Sequence, residues 1–313
     1  MEIAINAALT IVGLGMLCFG GHWLVSGGVA ISKKLGISKL IIGMTVVAYG
    51  TSTPELAASI AAAGEHSAII LGNVIGSNIA NIGMVIGIAA IIAPLVVKKA
   101  TIKKEVPIMI GVSLLIVVLS IDGEISQYDG ILLIFSLIIF TVFIYKDAKK
   151  QRKEIADEIF QKKDIYSRSL GLIAIGIVLL YVGAILTVDN AVILAQSFGL
   201  SERIIGITVI AIGTSLPELI TSVIAIRRGH TDIGIGNIIG SNIYNILMIM
   251  GIGATIAGVS IASEVFVDYA VMIGFGLVLL IVMKTGLISR RIGIGLVLAY
   301  FIFLTTTFFI KIL

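Results

Sequence analysis

Gly50-Thr51-Ser52-Thr53-Pro54-Glu55 sits in the middle of an apolar segment, and Gly213-Thr214-Ser215-Leu216-Pro217-Glu218 answers it 163 positions later. A carboxylate at membrane depth costs about 2.5–3.5 kcal/mol on insertion scales and marks a functional position by default. Here it comes twice, each time with a Gly, two hydroxyl-bearing neighbours and a Pro that breaks the helical ladder. A second block behaves the same way. Gly72-Asn73-Val74-Ile75-Gly76-Ser77-Asn78-Ile79-Ala80-Asn81 is answered by Gly236-Asn237-Ile238-Ile239-Gly240-Ser241-Asn242-Ile243-Tyr244-Asn245, 164 positions on. Gly36-Ile37-Ser38 and Ile42-Gly43 likewise match Gly199-Leu200-Ser201 and Ile205-Gly206. The chain is therefore two copies of one unit.

Of its 313 residues, 58% are hydrophobic and only 13% charged, against about 25% charged in a soluble domain. Apolar runs of bilayer length recur from end to end. The expected fold is an all-α polytopic membrane protein with ten transmembrane helices, near 3–31, 39–63, 68–94, 106–121, 128–145, 168–198, 203–226, 232–259, 264–284 and 291–311. Residues 1–146 form the first five-helix repeat, 147–167 a cytoplasmic linker and 168–313 the second repeat. Five is odd, so the second copy enters the membrane from the opposite face, giving two inverted repeats.

All of the 22 Lys and Arg residues except Arg203 and Lys311 fall in loops on one side of these spans. The positive-inside rule puts that side in the cytoplasm, with both termini extracellular in a multi-pass cell-membrane protein. The basic excess thus reports topology rather than nucleic-acid binding. The lipid bilayer is the partner implied, and no protein partner is. The N-terminal apolar run lacks the basic flank of a cleavable signal and is read as a retained helix. The single cysteine, Cys18, excludes an intrachain disulfide framework. The polar stretch from Lys146 to Ser167 is read as a solvated connector, and Glu65, His66 and His230 as solvated loop residues.

Within the first motif, Thr51 and Ser52 lie four and three residues before Glu55 and share its helical face; Thr214 and Ser215 stand likewise to Glu218. Pro54 and Pro217 cannot donate to the carbonyls of Gly50 and Gly213. Ser77 with Asn81, and Ser241 with Asn245, line a face in the second block. Every group on offer is a hard oxygen, which suits Ca2+ or Na+ and argues against zinc or copper. A lone Gly/Ser/Thr/Pro cluster is more simply a packing kink. Packing does not need a carboxylate, still less two at matched positions. Asn73, Asn78, Asn237 and Asn242 are read as structural hydrogen-bonders. Asp189 has two readings, a cation guide near the outer face or a hydrogen bond at the helix end. Gly13, Gly15, Gly20, Gly21, Gly27 and Gly28 in the first helix, with Gly171, Gly176 and Gly183 in the sixth, make smooth faces suited to close approach and to sliding on the core.

Across nearly its whole length, through the two Gly-Thr-Ser-x-Pro-Glu and two Gly-Asn-x-x-Gly-Ser-Asn-x-x-Asn motifs, the sequence resembles the sodium/calcium exchanger branch of the cation/Ca2+ exchanger superfamily, in its compact prokaryotic form. The resemblance implies that Glu55, Glu218, Thr51 and Thr214 bind Ca2+ with the carbonyls of Ala48 and Ala211. It implies that Ser52, Ser77, Ser215 and Ser241 serve Na+, that Asn81 and Asn245 lie at the centre, and that the first and sixth helices slide to alternate access. Ca2+ and Na+ are then transported ions; no cofactor and no enzymatic chemistry are implied. Some relatives carry Asp where this chain has Asn245, so the two glutamates alone supply fixed charge here, a formal −2. One Ca2+ neutralises it. The expected function is Na+/Ca2+ antiport by alternating access, extruding Ca2+. A Ca2+/H+ or K+-dependent exchanger is the alternative, and a cation channel a more distant one, disfavoured because channels build pores from symmetric oligomers.

Overall fold

The computed structural model describes residues 2–64, 67–155, 166–198 and 211–310. In chain order its helices are α1 (Glu2–Leu35), α2 (Lys39–Thr51), α3 (Thr53–Ala62), α4 (Ser67–Ile92), α5 (Lys99–Lys103), α6 (Glu105–Leu119) and α7 (Gln127–Ile155). The second half supplies α8 (Tyr166–Ser197), α9 (Ala211–Thr214), α10 (Leu216–Arg227), α11 (Thr231–Ala257), α12 (Val265–Met283) and α13 (Arg290–Ile310). Seven of them (α1, α4, α7, α8, α11, α12 and α13) are long and apolar enough to cross a membrane. The remaining expected spans are shorter or interrupted: α6 has 15 residues, and the two proline motifs split α2 from α3 and α9 from α10.

One boundary differs from the sequence reading. Helix α7 continues to Ile155, through Lys146, Asp147 and the basic run after them. Apart from Asp147, this run of Lys, Ala, Gln, Arg and Glu is made of good helix formers, and a helix leaving the membrane keeps its own backbone satisfied in water. The expected span 203–226 is described only from Ala211, and Arg203, Glu65, His66 and Lys311 lie outside the described residues.

Helices α4 and α11, which carry the second motif block, are buried almost throughout, whereas α1, α7, α8 and α13 expose Phe19, Phe135, Ile175 and Ile302 outward. Exposed side chains of this size over long helices fit a lipid-facing ring around a buried core.

Two antiparallel strand pairs close the ends. β1 (Leu95–Val96) pairs with β4 (Leu287–Ile288), and β2 (Glu124–Ile125) with β3 (Val259–Ser260). Leu95 and Val259 are 164 positions apart and Glu124 and Leu287 163, so each strand pairs with a strand of the other half, and the two pairs are copies of one another.

The glycine faces make the close approach expected of them. Gly13, Gly20 and Gly27 of α1 meet Gly183, Gly176 and Ser169 of α8 in an antiparallel seam. A Cβ on Gly20 would lie 2.9 Å from the Gly176 carbonyl oxygen, closer than such atoms approach. The seam thus locks the two helices to each other, while Gly21 and Gly28 face the core at Thr221 and Ile42.

Candidate ion-binding site

Proline without an N–H forces the local geometry. Ser52 (φ −84°, ψ 9°) and Ser215 (φ −88°, ψ 4°) leave the helical region, and α3 and α10 restart with Pro54 and Pro217 in their first turns. The restart turns Glu55 and Glu218 inward: each is 1% exposed, and the two carboxyl groups are near enough for their charges to act on each other. Two neighbouring buried carboxylates need a counter-charge, which a divalent cation, Na+ or a shared proton can provide.

The helices that face them also break at matched places. The backbone widens to a π-turn at Asn81–Ile86 and again at Asn245–Met250, each opening on the last asparagine of its motif block. The turn at Asn245 packs against α3, and the one at Asn81 against α10, so each glutamate helix meets the other half's π-turn. A third π-turn spans Gly43–Val47. Such turns carry no sequence signal of the kind a proline gives. They recur at functional sites because they re-aim side chains and loosen carbonyls.

The asparagines are held crosswise. Asn81 Nδ2 donates to Asn242 Oδ1 and Asn245 Nδ2 to Asn78 Oδ1, both at 3.0 Å. Asn78 and Asn242 are in turn fixed by bonds to Met272 and Met109, at 3.7 and 3.5 Å. With their amide nitrogens engaged, Asn81 and Asn245 are left with free Oδ1 acceptors. Asn73 and Asn237 have the structural role expected. Asn73 Nδ2 donates to the Glu55 carbonyl (3.0 Å) and to Ser59 (2.9 Å), and Asn237 Nδ2 to Ser222 (3.0 Å).

Around Glu218 the hydroxyls converge. Ser52 Oγ donates to Glu218 Oε1 at 3.0 Å and lies 3.1 Å from Ser241 Oγ, which is 3.4 Å from the same carboxyl oxygen. Thr51 Oγ1 is 3.1 Å from Asn237 Oδ1 and 3.3 Å from the Ala48 carbonyl, which also accepts from the Ser52 N–H. The matching cluster in the other half is arranged differently. Ser215 Oγ has no partner, Ser77 reaches Asn73 at 3.5 Å, and Thr214 is half-buried. Thr214 and Ser77 line a cleft of about 600 Å³ that runs to Ser260 at the end of β3. Ala211 opens α9 at the edge of the described residues.

Buried oxygens without partners are uncommon in folded proteins. Glu55 Oε2, Glu218 Oε2, Asn81 Oδ1, Asn245 Oδ1 and Ser215 Oγ are five of them here. An oxygen-only set with two carboxylates fits hard cations such as Ca2+, which takes 6–8 oxygens, or Na+, and offers no nitrogen or sulfur to zinc or copper.

Two other sequence positions sit away from this site. Asp189 is exposed, and the neighbouring Asn190 donates back within its own helix to the Leu186 carbonyl at 2.7 Å. His230, expected in solvent, is half-buried and accepts a hydrogen bond from Lys39 Nζ at 3.0 Å.

The chain matches the family "Sodium/calcium exchanger protein" twice, over residues 5–146 and 168–309. It belongs to that family. The Methanosarcina acetivorans protein "Sodium/calcium exchanger MaX1" is 34% identical over 98% of this chain and 100% of its own length. The Escherichia coli "Inner membrane protein YrbG" is 38% identical over 85% of each chain. A solved structure of the sodium-calcium exchanger NCX_Mj, soaked with Na+ and Sr2+, superposes with TM-score 0.85 at 34% identity, covering 96% of this chain and 98% of that one. The two family matches start 163 residues apart, the same offset that separates Glu55 from Glu218.

Proposed function

We propose that this chain is a Na+/Ca2+ antiporter of ten crossings, built from inverted repeats 1–146 and 168–313 joined by a cytoplasmic linker. The observation that carries the reading is the buried oxygen-only site in which Glu55 of one half meets Glu218 of the other, with oxygens of Glu55, Glu218, Asn81 and Asn245 unpartnered. Glu55, Glu218, Thr51 and Thr214 bind Ca2+, with the Ala48 and Ala211 carbonyls. Ser52, Ser77, Ser215 and Ser241 serve Na+, beside Asn81 and Asn245. Each hydroxyl has one proton and two lone pairs, so the Thr51–Ser52–Ser241 cluster can turn its lone pairs to a cation and release Glu218 Oε1.

Inversion is supported by the two strand pairs, which join the halves reciprocally. Alternation is supported by the unequal halves: the cluster at Glu218 is closed by hydrogen bonds, while the equivalent groups Ser77 and Thr214 border a cleft. The positive-inside rule places that cleft on the extracellular side and both termini outside. An inward Na+ gradient then extrudes Ca2+. Transport needs no bond chemistry, and the chain acts as a transporter rather than an enzyme.

The test is Ca2+ uptake by proteoliposomes loaded with Na+, H+ or K+ in turn. Uptake is expected only with Na+ inside. Uptake that follows a pH gradient and ignores Na+ would instead assign the protons of the glutamate pair as the coupling ion.

A further inference from the structure

Beyond the central site, the two halves carry one more matched pair of acids. Glu105 begins α6 and Asp268 lies in the first turn of α12, 163 positions later. The register is fixed by side chains as well as by counting. Four residues beyond each acid stands a methionine, Met109 or Met272, and each accepts a hydrogen bond from the other block's matching asparagine, Asn242 or Asn78. Helix α6 packs on α11, and α12 on α4, in the same manner. The two acids are therefore the same position seen from opposite faces.

Their surroundings differ as the two ends of an alternating path would. Asp268 is half-buried and lines the cleft that also reaches Asn73, Ser77 and Thr214; both charged side chains lining that cleft, Asp268 and Glu264, are acidic. Glu105 is only 6% exposed, and its Oε2 has no hydrogen-bond partner. It sits next to the ion pair of Lys104 with Asp147, and Lys104 also lies over the Phe143 ring at 4.6 Å. A carboxylate with a bare buried oxygen is costly to keep and is not explained by packing. A first-turn acid gains from the helix dipole without being buried, so the dipole does not explain it either.

We propose that Asp268 and Glu105 are the outer cation-holding residues of the two access paths, one for each face of the membrane. Asp268 receives hydrated Na+ or Ca2+ in the open extracellular cleft. Glu105 does the same on the cytoplasmic side once the core has turned, when its free oxygen meets water and ions. This rests on the antiport reading above and extends it to residues outside the central site.

The experiment uses the full chain in membrane vesicles of known sidedness, with half-saturating Ca2+ measured separately at each face. Asp268→Asn is expected to raise it about fivefold at the extracellular face alone, and Glu105→Gln about fivefold at the cytoplasmic face alone, from loss of local cation attraction. Asp268→Glu and Glu105→Asp keep the charge and should restore values near the parent's, which separates a charge effect from misfolding. Equal changes at both faces, no change at either, or failure of the charge-keeping variants to restore affinity would each overturn the proposal. Failure of the antiport reading is separately visible, because the unaltered protein would then show no Na+-driven Ca2+ flux.

Discussion

Glu55 and Glu218 are buried and each leaves Oε2 without a protein partner, so their charge is left to be balanced by what the site binds. Replacing either by Gln removes half of the fixed charge and leaves the partner carboxylate alone. Each carboxylate attracts a bound cation by about 4 kcal/mol per unit of cation charge at 4 Å and an effective dielectric of 20, so losing one weakens ion affinity more than a hundredfold. Glu55→Gln and Glu218→Gln are each expected to abolish isotopic Ca2+ flux in proteoliposomes, and normal flux in either variant would sink the site. A milder result is expected at Asn242, whose Oδ1 holds the Asn81 amide at 3.0 Å. Asn242→Leu leaves that amide free to rotate and unsatisfied at a cost of about 1–3 kcal/mol. Ca2+ affinity should fall roughly tenfold while transport persists, and unchanged affinity would show that Asn81 is not an aimed ligand.

The seam between α1 and α8 makes these helices one unit, because Gly13, Gly20 and Gly27 face Gly183, Gly176 and Ser169 at backbone distance. Gly20→Val should force them apart and lower stability by about 1–3 kcal/mol. Gly15→Val should be near neutral, since a Cβ there meets nothing within 4 Å. Thermal unfolding in detergent compares the two, and equal midpoints would refute the seam. At the start of α2, burial and the charges of Lys39 and Arg228 hold the His230 imidazole below its ordinary value, so it is neutral and can accept from Lys39. The unfolded chain then binds more protons than the folded one between the folded value and about 6.5. The stability from this contact is complete above that window and is lost as pH falls through it. NMR titration of His230 should give a midpoint below that of a free imidazole; one at or above it would remove the contact from the account.

Much of this was legible in the sequence because its signals are local. Pro54 and Pro217 announced the helix breaks, and the spacing of Ser77 to Asn81 placed two polar groups on one face. The crosswise bonds of Asn78 and Asn242 were not legible, since they join residues more than 160 positions apart. Nor were the π-turns at Asn81 and Asn245, where tertiary packing rather than composition inserts the extra residue. The glycines of α1 and α8 were recognised as smooth, but a glycine's sequence context does not say which neighbour it admits. His230 was misread for a related reason: its partner Lys39 lies in the other half.

At the scale of the whole molecule, the proposed inversion predicts that equivalent positions lie on opposite sides of the membrane. The pairing of β2 with β3, and of β1 with β4, gathers one loop from each half at either end. Two exposed residues beside these pairs, Asp122 and Lys284, therefore report opposite faces if the repeats are inverted. Cys18 is the only native thiol, and Cys18→Ala gives a background without one. In that background, Asp122→Cys is expected to react with a membrane-impermeant maleimide in right-side-out vesicles. Lys284→Cys should react only after the vesicles are opened. A charge argument fixes which is which. Lys98, Lys99, Lys103 and Lys104 cluster just beyond β1, and Arg290 and Arg291 just beyond β4, whereas no Lys or Arg lies between Ser120 and Gln127 or between Gly258 and Val265. By the positive-inside rule, this excess of positive charge predicts a cytoplasmic β1–β4 end. Labelling of both cysteines from the same side would reject the inversion, and with it the pseudo-symmetric site at Glu55 and Glu218.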